Sequence, residues 1–392
     1  MNARHVLPLA FAVVAFACSS ADVARSQDGG KATMTSADSK PLTDREKQEL
    51  RGPVRSVAEE NTSAAWTDSE GKVYPESKSW RKTEYDRTGR IVELRFRGSS
   101  GEWVTRYSYG NAGQLLRTKI QDETGKEERE TVYQYDEKGR LRSITNSSDP
   151  NNPIVFRYDA SGRRSKIAIA QPKEQPEGLG AISRSMEASF EDAGNEAPLF
   201  EGGSAVTLYD EHDRPTEIQT RNANGEIMSR TLRVYDDHGR VLEEKETMDD
   251  PLKMIPSGEQ KKMFASGDGS AQELRDKLRE FLGGAETWSV KYTYDAQGRK
   301  SKSIRKIFNH MEEEVEMAYN EQCDVVKETR QSTTRGSPDD ENDDGKTTSE
   351  TVYSYEYDGY GNWTVKKSSS RSLPDGTFKD ANEDLRRTIE YF

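Results

Sequence analysis

Apolar and polar residues alternate in short stretches along most of the chain, and turns rich in glycine separate these stretches. From Tyr133 to Asp136, and again from Tyr292 to Asp295, the tyrosines alternate with polar residues. Because the side chains of a β-strand point alternately to its two faces, both rings of each pair fall on one face and the other face stays polar. The pattern predicts half-buried β-strands.

The strands run into one recurring turn motif, YDxxGR. Five copies are complete, and degenerate copies occur at 109–113, 209–214, 319–323 and 357–362. Where no insertion intervenes, successive copies lie about 25 residues apart, a period typical of a repeat architecture. The turn residues of the complete copies are Tyr85, Asp86, Gly89 and Arg90; Tyr135, Asp136, Gly139 and Arg140; Tyr158, Asp159, Gly162 and Arg163; Tyr235, Asp236, Gly239 and Arg240; and Tyr294, Asp295, Gly298 and Arg299.

The motif has the residue types of a tight hairpin loop. Aspartate bonds its own backbone two residues on, and glycine takes the positive φ that a three-residue loop with a bulge requires. Asp136 and Arg140 then flank the loop on facing strands, where their opposite charges support the register. A second strand follows, as at Leu141 to Ile144, so each copy predicts one antiparallel hairpin.

On these residues the chain resembles the YD-repeat, or Rhs-repeat, family from roughly Ser79 to Val365. The resemblance implies a hairpin strip, which in long family members coils into a shell around toxin cargo. We therefore expect an all-β fold: an extended antiparallel sheet of consecutive YD-repeat hairpins, forming a curved strip or open shell with short helical insertions. The chain has too few repeats to enclose a passenger. Small exported bacterial YD-repeat proteins are the closer likeness, and the family offers them no settled activity.

Residues 1–18 are typical of an export signal. Arg4 gives a basic start, an apolar run extends from Val6 to Ala17, and Ala15-Phe16-Ala17 fits a small-x-small cleavage site. Cys18 follows at once, at the place of the lipidated cysteine in a bacterial lipobox. Two outcomes stay open, lipidation of Cys18 and simple cleavage, and both take the chain out of the cytoplasm.

The rest of the chain divides into a tether and the repeat array. Residues 19–42 have almost no large apolar side chains and predict a disordered tether. Residues 43–392 form the predicted β array, which begins with a short helix capped by Thr43 and Glu46. Insertions are predicted at 171–203, 251–285 and 331–348, with a helix from Ser270 in the second, and the last residues predict a closing strand.

Composition limits the core and the partners. Hydrophobic residues make up 32% of the chain and charged residues 33%, which predicts a thin apolar layer on one face of a sheet rather than a large compact core. The 17 tyrosines suit such a half-buried face. The net charge of −12 disfavours nucleic acid as a partner, and it leaves a lipid anchor as the expected contact with a membrane.

No catalytic set stands out. His212 and His238 occupy variable turn positions, His310 is isolated, and Cys323 takes the place of a turn glycine. Carboxylates are plentiful, so a glycosidase pair stays open, although nothing selects one. We expect no enzyme activity, no catalytic residue and no cofactor.

A calcium loop is the sharpest local metal signal. Asp340, Asn342 and Asp344 precede Gly345 at the spacing of the first calcium ligands, but Thr351 stands where such a loop needs glutamate. A calcium site and a solvated acidic loop both stay open.

These observations predict a non-catalytic exported protein that gives a binding or structural surface at the cell envelope, for a glycan or a protein partner. An outer-membrane lipoprotein, a periplasmic protein and a secreted protein all fit. The alternatives are a carboxylate-dependent polysaccharide hydrolase and the remnant of a toxin-encapsulating shell. The five tryptophans either stack on sugar rings or pack on the tyrosine face. They are Trp66, Trp80, Trp103, Trp288 and Trp363.

Overall fold

The structure is a computed structural model, and it describes residues 42–63, 65–67, 71–98, 101–169, 203–222, 224–248, 250, 273, 276, 286–308, 311–334, 345–374, 376–378 and 383–392. A one-turn helix, α1 (Asp44–Lys47), is the first element among these described residues. Its predicted capping box is confirmed. The Thr43 hydroxyl accepts a hydrogen bond from the Glu46 N–H at 3.2 Å, and the Glu46 carboxylate accepts one from the Thr43 N–H at 2.7 Å.

Within the described residues the chain forms 22 strands, and the predicted all-β class is confirmed. The strands are β1 (Val54–Ser63), β2 (Trp66–Thr67), β3 (Val73–Tyr74), β4 (Ser77–Tyr85), β5 (Ile91–Gly98), β6 (Gly101–Tyr109), β7 (Leu115–Asp122), β8 (Glu127–Tyr135), β9 (Leu141–Asn146), β10 (Asp149–Tyr158), β11 (Arg164–Ile169), β12 (Ser204–Tyr209), β13 (Pro215–Arg221), β14 (Ile227–Tyr235), β15 (Val241–Thr247), β16 (Glu286–Tyr294), β17 (Lys300–Ile307), β18 (Met311–Tyr319), β19 (Val325–Thr334), β20 (Gly345–Tyr357), β21 (Trp363–Ser372) and β22 (Glu383–Tyr391). Strands β2 and β3 pair only with each other, and the other 20 form one sheet.

The large sheet closes on itself, so the expected open strip or shell is wrong. Strand β1 pairs with β22 on one side and with β4 on the other, which gives each of the 20 strands two antiparallel neighbours. The fold is a 20-stranded antiparallel barrel. Closure satisfies the backbone groups that a strip would leave unpaired at its two edges. The predicted closing strand at the end of the chain is confirmed as β22, in which Thr388 pairs with Ala58.

The two faces of the sheet differ as the alternation predicts. The face that carries Tyr133, here called the tyrosine face, holds a buried cluster that spans β8 to β13. The opposite face, here called the charged face, carries cross-strand ion pairs such as Glu217 with Arg230 and Lys302 with Glu314. The buried cluster consists of Tyr133, Ile144, Ile154, Phe156, Ile167, Ala205 and Ile218. The buried apolar cluster therefore lies on the tyrosine face, which elsewhere also carries ion pairs, Arg233 with Glu244 and Glu313 with Arg330.

The YD turns all lie at one end of the barrel, here called the YD rim, because each turn follows a strand that runs in the same direction. The opposite end is here called the return rim. The connections between β11 and β12, β15 and β16, and β19 and β20 all leave from the return rim. The predicted insertions therefore interrupt the array at one end of the barrel only.

The predicted insertions fall largely outside the described residues. Of 171–203 only Gly203 is described, and of 251–285 only Glu273 and Asp276. In the third segment, 331–334 and 345–348 are paired strand residues of β19 and β20. No helix among the described residues is long and apolar enough to cross a membrane.

Candidate functional site

Seven of the YD turns have an aspartate after the tyrosine, and that aspartate holds the turn. In the turn at 136–140, one oxygen of the Asp136 carboxylate accepts hydrogen bonds from the N–H groups of Lys138 and Arg140, both at 2.9 Å. The other oxygen accepts one from the Arg140 Nε at 2.8 Å. Gly139 adopts a φ of 74°, as the hairpin loop requires. The predicted pairing of Asp136 with Arg140 is confirmed.

These hydrogen bonds favour the ionised form of the turn aspartates. Bonds from the Arg140 N–H and the Arg140 side chain lower the pKa of Asp136 below its ordinary value. The Arg163 side chain, donating to Asp159, lowers the pKa of that carboxyl in the same way. The turn carboxylates are therefore structural anions rather than proton donors near neutral pH.

A second set of contacts joins each turn to the next. The Arg140 guanidinium lies 4.3 Å from the centroid of the Tyr158 ring, and the Tyr158 hydroxyl donates to the Leu141 carbonyl at 2.8 Å. Five more pairs have guanidinium–centroid distances between 4.5 and 4.9 Å. They are Arg90–Tyr109, Arg163–Tyr209, Arg214–Tyr235, Arg240–Tyr294 and Arg299–Tyr319.

Sequence reasoning missed this ladder of arginines and tyrosines along the YD rim. It assigned each arginine to its own turn, whereas the same side chain also stacks on the tyrosine of the next copy. The equal spacing of tyrosine and arginine in the repeats was the available signal. The ladder uses the polar groups of the motif within the fold, so these residues are structural.

Two turns have another residue where the others have glycine. Asp213 and Cys323 have φ values of 62° and 71°, which side chains other than glycine rarely adopt. Both side chains approach the arginine of the preceding turn: Asp213 pairs with the Arg163 Nη1 at 2.6 Å, and the Cys323 Sγ lies 4.0 Å from the Arg299 Nη1. The sequence-based placement of Cys323 in a turn-glycine position is confirmed.

The described segment before β1, residues 42–53, lies along the YD rim. The Arg45 N–H donates to the Gly89 carbonyl at 3.0 Å, and the Asp44 carboxylate accepts from the Ile91 N–H at 3.0 Å. The Arg51 Nη2 donates to the Gln322 carbonyl at 3.1 Å, on the far side of the β1–β22 pairing. This segment therefore connects turns that belong to opposite ends of the repeat array.

Two tyrosines near this junction are held in their neutral form. Burial is the main cause that raises the pKa of Tyr357 and of Tyr391 to about 12. The Tyr357 hydroxyl donates to Asp324 at 2.7 Å, and the Tyr391 hydroxyl donates to Asp358. Each carboxylate accepts a hydrogen bond from the neutral phenol hydroxyl. Its negative charge also opposes ionisation of that phenol.

An open groove of about 250 Å³ lies on the charged face of β5 to β7. Val104, which is only 7% exposed, lines it at the centre of the surrounding side chains. Glu93 accepts from the Nε atoms of Arg95 and Arg106, at 2.6 and 3.0 Å. The bond to Glu93 raises the pKa of Arg95 and keeps the guanidinium charged. The groove is also lined by Glu102, Gln121, Asp122, Glu123 and Gly125.

Of the four tryptophans whose side chains are described, only Trp80 lies on the charged face. The strand register places the other three on the tyrosine face, as the packing interpretation predicts. There the Trp288 Nε1 donates to Glu246 at 2.8 Å, and the Arg387 guanidinium lies 3.5 Å from the centroid of the Trp363 ring.

Several predicted site residues lie outside the described part of the chain. They are Cys18 and the calcium candidates Asp340, Asn342 and Asp344. Among the residues that are described, no three or more His, Cys, Asp or Glu side chains are grouped so as to hold a metal ion.

No protein-family model and no curated protein matches the chain. Among solved structures, a crystal structure of TcdB2-TccC3 is similar at a TM-score of 0.36 and 12% identity over 84% of this chain, which spans 16% of that chain's length. Porin-like proteins from Bacteroides uniformis and Bacteroides vulgatus are similar at TM-scores of 0.28 and 0.26 and at 14% and 11% identity. Those two likenesses cover 87% and 86% of this chain and 98% of each porin-like chain. The structural neighbours thus include TcdB2-TccC3 and porin-like proteins.

Proposed function

We propose that this chain is an exported, non-catalytic protein whose closed barrel offers a binding or structural surface at the cell envelope. The observation that carries the proposal is the rim ladder. The side chains of the YD motif bond one another there, so the repeat motif offers no set of groups arranged for catalysis. Binding then falls to other surfaces of the barrel, for a glycan or a protein partner.

Export is the other half of the proposal, and it rests on residues 1–18. Labelling of cells with a radioactive fatty acid, for the unaltered chain and for Cys18→Ala, separates a lipid anchor from simple cleavage. Incorporation that the substitution abolishes supports the anchor. A chain that stays in the cytoplasm in both forms contradicts export.

The binding proposal is tested by a pull-down from envelope extract and by a glycan array, each run with calcium and with a chelator. We expect capture of a partner or of a glycan class. Empty results from both contradict the binding proposal. Turnover of a polysaccharide panel, lost on substitution of a carboxylate pair, would contradict the non-catalytic part and favour the hydrolase.

A further inference from the structure

We infer that the groove on the charged face of β5 to β7, together with Trp80, binds a neutral oligosaccharide. This inference rests on the proposed binding function and names its ligand and its place. The groove and the tryptophan belong to neighbouring strands, and neither takes part in the rim ladder.

The polar groups of the groove are fixed by one another. Glu93 holds Arg95 and Arg106, and Arg106 also donates from its Nη1 to Gln121. The Gln121 amide in turn donates to the Gly125 carbonyl at 3.1 Å. Side chains that are already ordered lose little conformational entropy when a ligand binds, so the network is preorganised.

The network offers both donors and acceptors in planar groups. A guanidinium carries five N–H groups, a carboxylate accepts on two oxygens, and an amide does both. Vicinal sugar hydroxyls, which donate and accept within one pair, match such side chains in two-point hydrogen bonds. The groove therefore fits a polyol better than it fits a purely apolar ligand.

The charges of the groove disfavour a charged ligand. Glu93 pairs with Arg95 and Arg106, and Glu102 pairs with Arg97 at 2.6 Å. These charges are therefore engaged with one another, and an added charge of either sign would compete with the existing pairs. The ligand that suits the groove is therefore neutral.

Trp80 extends the site across the sheet. The register places Trp80 level with Arg97 on β5 and with Glu102 on β6, so the tryptophan and Glu102 are two strands, or about 10 Å, apart. The Arg97 guanidinium joins them, since it lies 5.9 Å from the centroid of the Trp80 ring and its Nη2 lies 2.6 Å from Glu102.

This spacing sets the length of the ligand. The C–H face of a pyranose ring is apolar and gains burial against an indole, while the hydroxyls of a neighbouring ring reach the polar groove. A single sugar does not bridge both positions. The site therefore takes at least a disaccharide unit and fits a longer neutral chain.

The test is calorimetric titration of the full chain with neutral hexasaccharides of glucose, mannose and N-acetylglucosamine. Trp80→Ala removes the stacking surface, and Val104→Met adds volume to the groove beside Arg95 and Gln121 while keeping every charged residue of the groove. Val132→Met is the matched control, since Val132 lies on the same face of β8, between Arg117 and Thr145, away from the groove. Circular dichroism and thermal unfolding confirm that each variant is folded.

We expect one hexasaccharide class to bind, Trp80→Ala and Val104→Met to weaken binding at least about tenfold, and Val132→Met to leave it unchanged. Binding that all three variants retain overturns the groove but leaves glycan binding intact. No binding of any hexasaccharide overturns the inference, and a protein captured in the pull-down would then still support the proposed function. A lysine-rich peptide is titrated as well. If the peptide binds, Val104→Met abolishes this binding and no saccharide binds, the proposal of a neutral ligand is overturned.

Discussion

Arg51 and Asn362 lie 311 positions apart in the chain and bond each other reciprocally. The Arg51 N–H donates to the Asn362 Oδ1 at 2.7 Å, and the Asn362 Nδ2 donates to the Arg51 carbonyl at 2.8 Å. Asn362 is only 4% exposed, and its amide also donates to the Tyr391 hydroxyl at 2.9 Å. One buried amide therefore joins the segment before β1, the last YD turn and the end of β22.

Asn362→Ala is expected to lower the free energy of unfolding by about 1–3 kcal/mol, because it removes a buried amide together with its two hydrogen bonds to the Arg51 backbone and its bond to the Tyr391 hydroxyl. Urea unfolding followed by circular dichroism measures the change. Asn224→Ala, in an exposed return turn, is the control and is expected to change stability by less than about 0.5 kcal/mol. Equal effects of the two substitutions would contradict a special role for Asn362.

The ladder along the YD rim gives a second prediction. Tyr158→Phe removes the hydroxyl that donates to the Leu141 carbonyl and is expected to cost about 1 kcal/mol of unfolding free energy. In a double-mutant cycle, Arg140→Ala and Tyr158→Leu are expected to couple by about 0.5–1 kcal/mol, since the guanidinium stacks on the ring.

The control cycle for this prediction pairs Arg140→Ala with Tyr235→Leu. Tyr235 stacks with Arg214 instead, so these two changes are expected to add within about 0.3–0.5 kcal/mol. If the Arg140–Tyr158 cycle is additive to the same degree, the stacking contributes nothing to stability.

The sequence predicted the repeating unit and not the closure. The alternation of Tyr133 and Tyr135, and the aspartate and glycine of the turns, are local signals, so the strands, the turns and the two unlike faces were all predictable. The pairing of Ala58 with Thr388 joins residues that no local pattern relates. The only sequence signal for this pairing was the strand predicted at the end of the chain.

The candidate site was predictable to a similar degree. Trp80 was identified from its residue type, but its face follows only from the register of β4, and the groove arises from side chains on three strands. Arg95, Arg106 and Gln121 belong to no motif. Their convergence depends on strand order, which spacing along the sequence does not encode.

Cys323 gives a third prediction. Cys323→Gly is expected to raise the free energy of unfolding by about 0.5–1 kcal/mol, because glycine adopts the φ of 71° without the steric cost that a Cβ imposes. Chemical denaturation measures the gain. The reverse change at an intact turn, Gly139→Cys, is the matched comparison and is expected to destabilise by about 1–2 kcal/mol. A loss of stability on Cys323→Gly would instead show that the thiol's contact with Arg299 outweighs the backbone strain.

The turn aspartates give the barrel a defined sensitivity to acid. Their pKa values are lower in the folded chain than in the unfolded chain, so the stability they contribute is present above the unfolded pKa, about 3.9, and is lost as the pH falls through the folded pKa. The aspartates with lowered pKa values in the YD turns are Asp86, Asp136, Asp159, Asp210, Asp236, Asp295 and Asp358. Because these groups act in the same direction, we expect the free energy of unfolding in urea to change little between about pH 7 and pH 5 and to fall steeply below about pH 4.

Asp136→Asn removes one titrating group and is expected to make this fall less steep, while lowering stability at pH 7, where the ionised carboxylate holds Arg140. A fall that stays equally steep in Asp136→Asn would mean that the acid sensitivity arises elsewhere in the barrel.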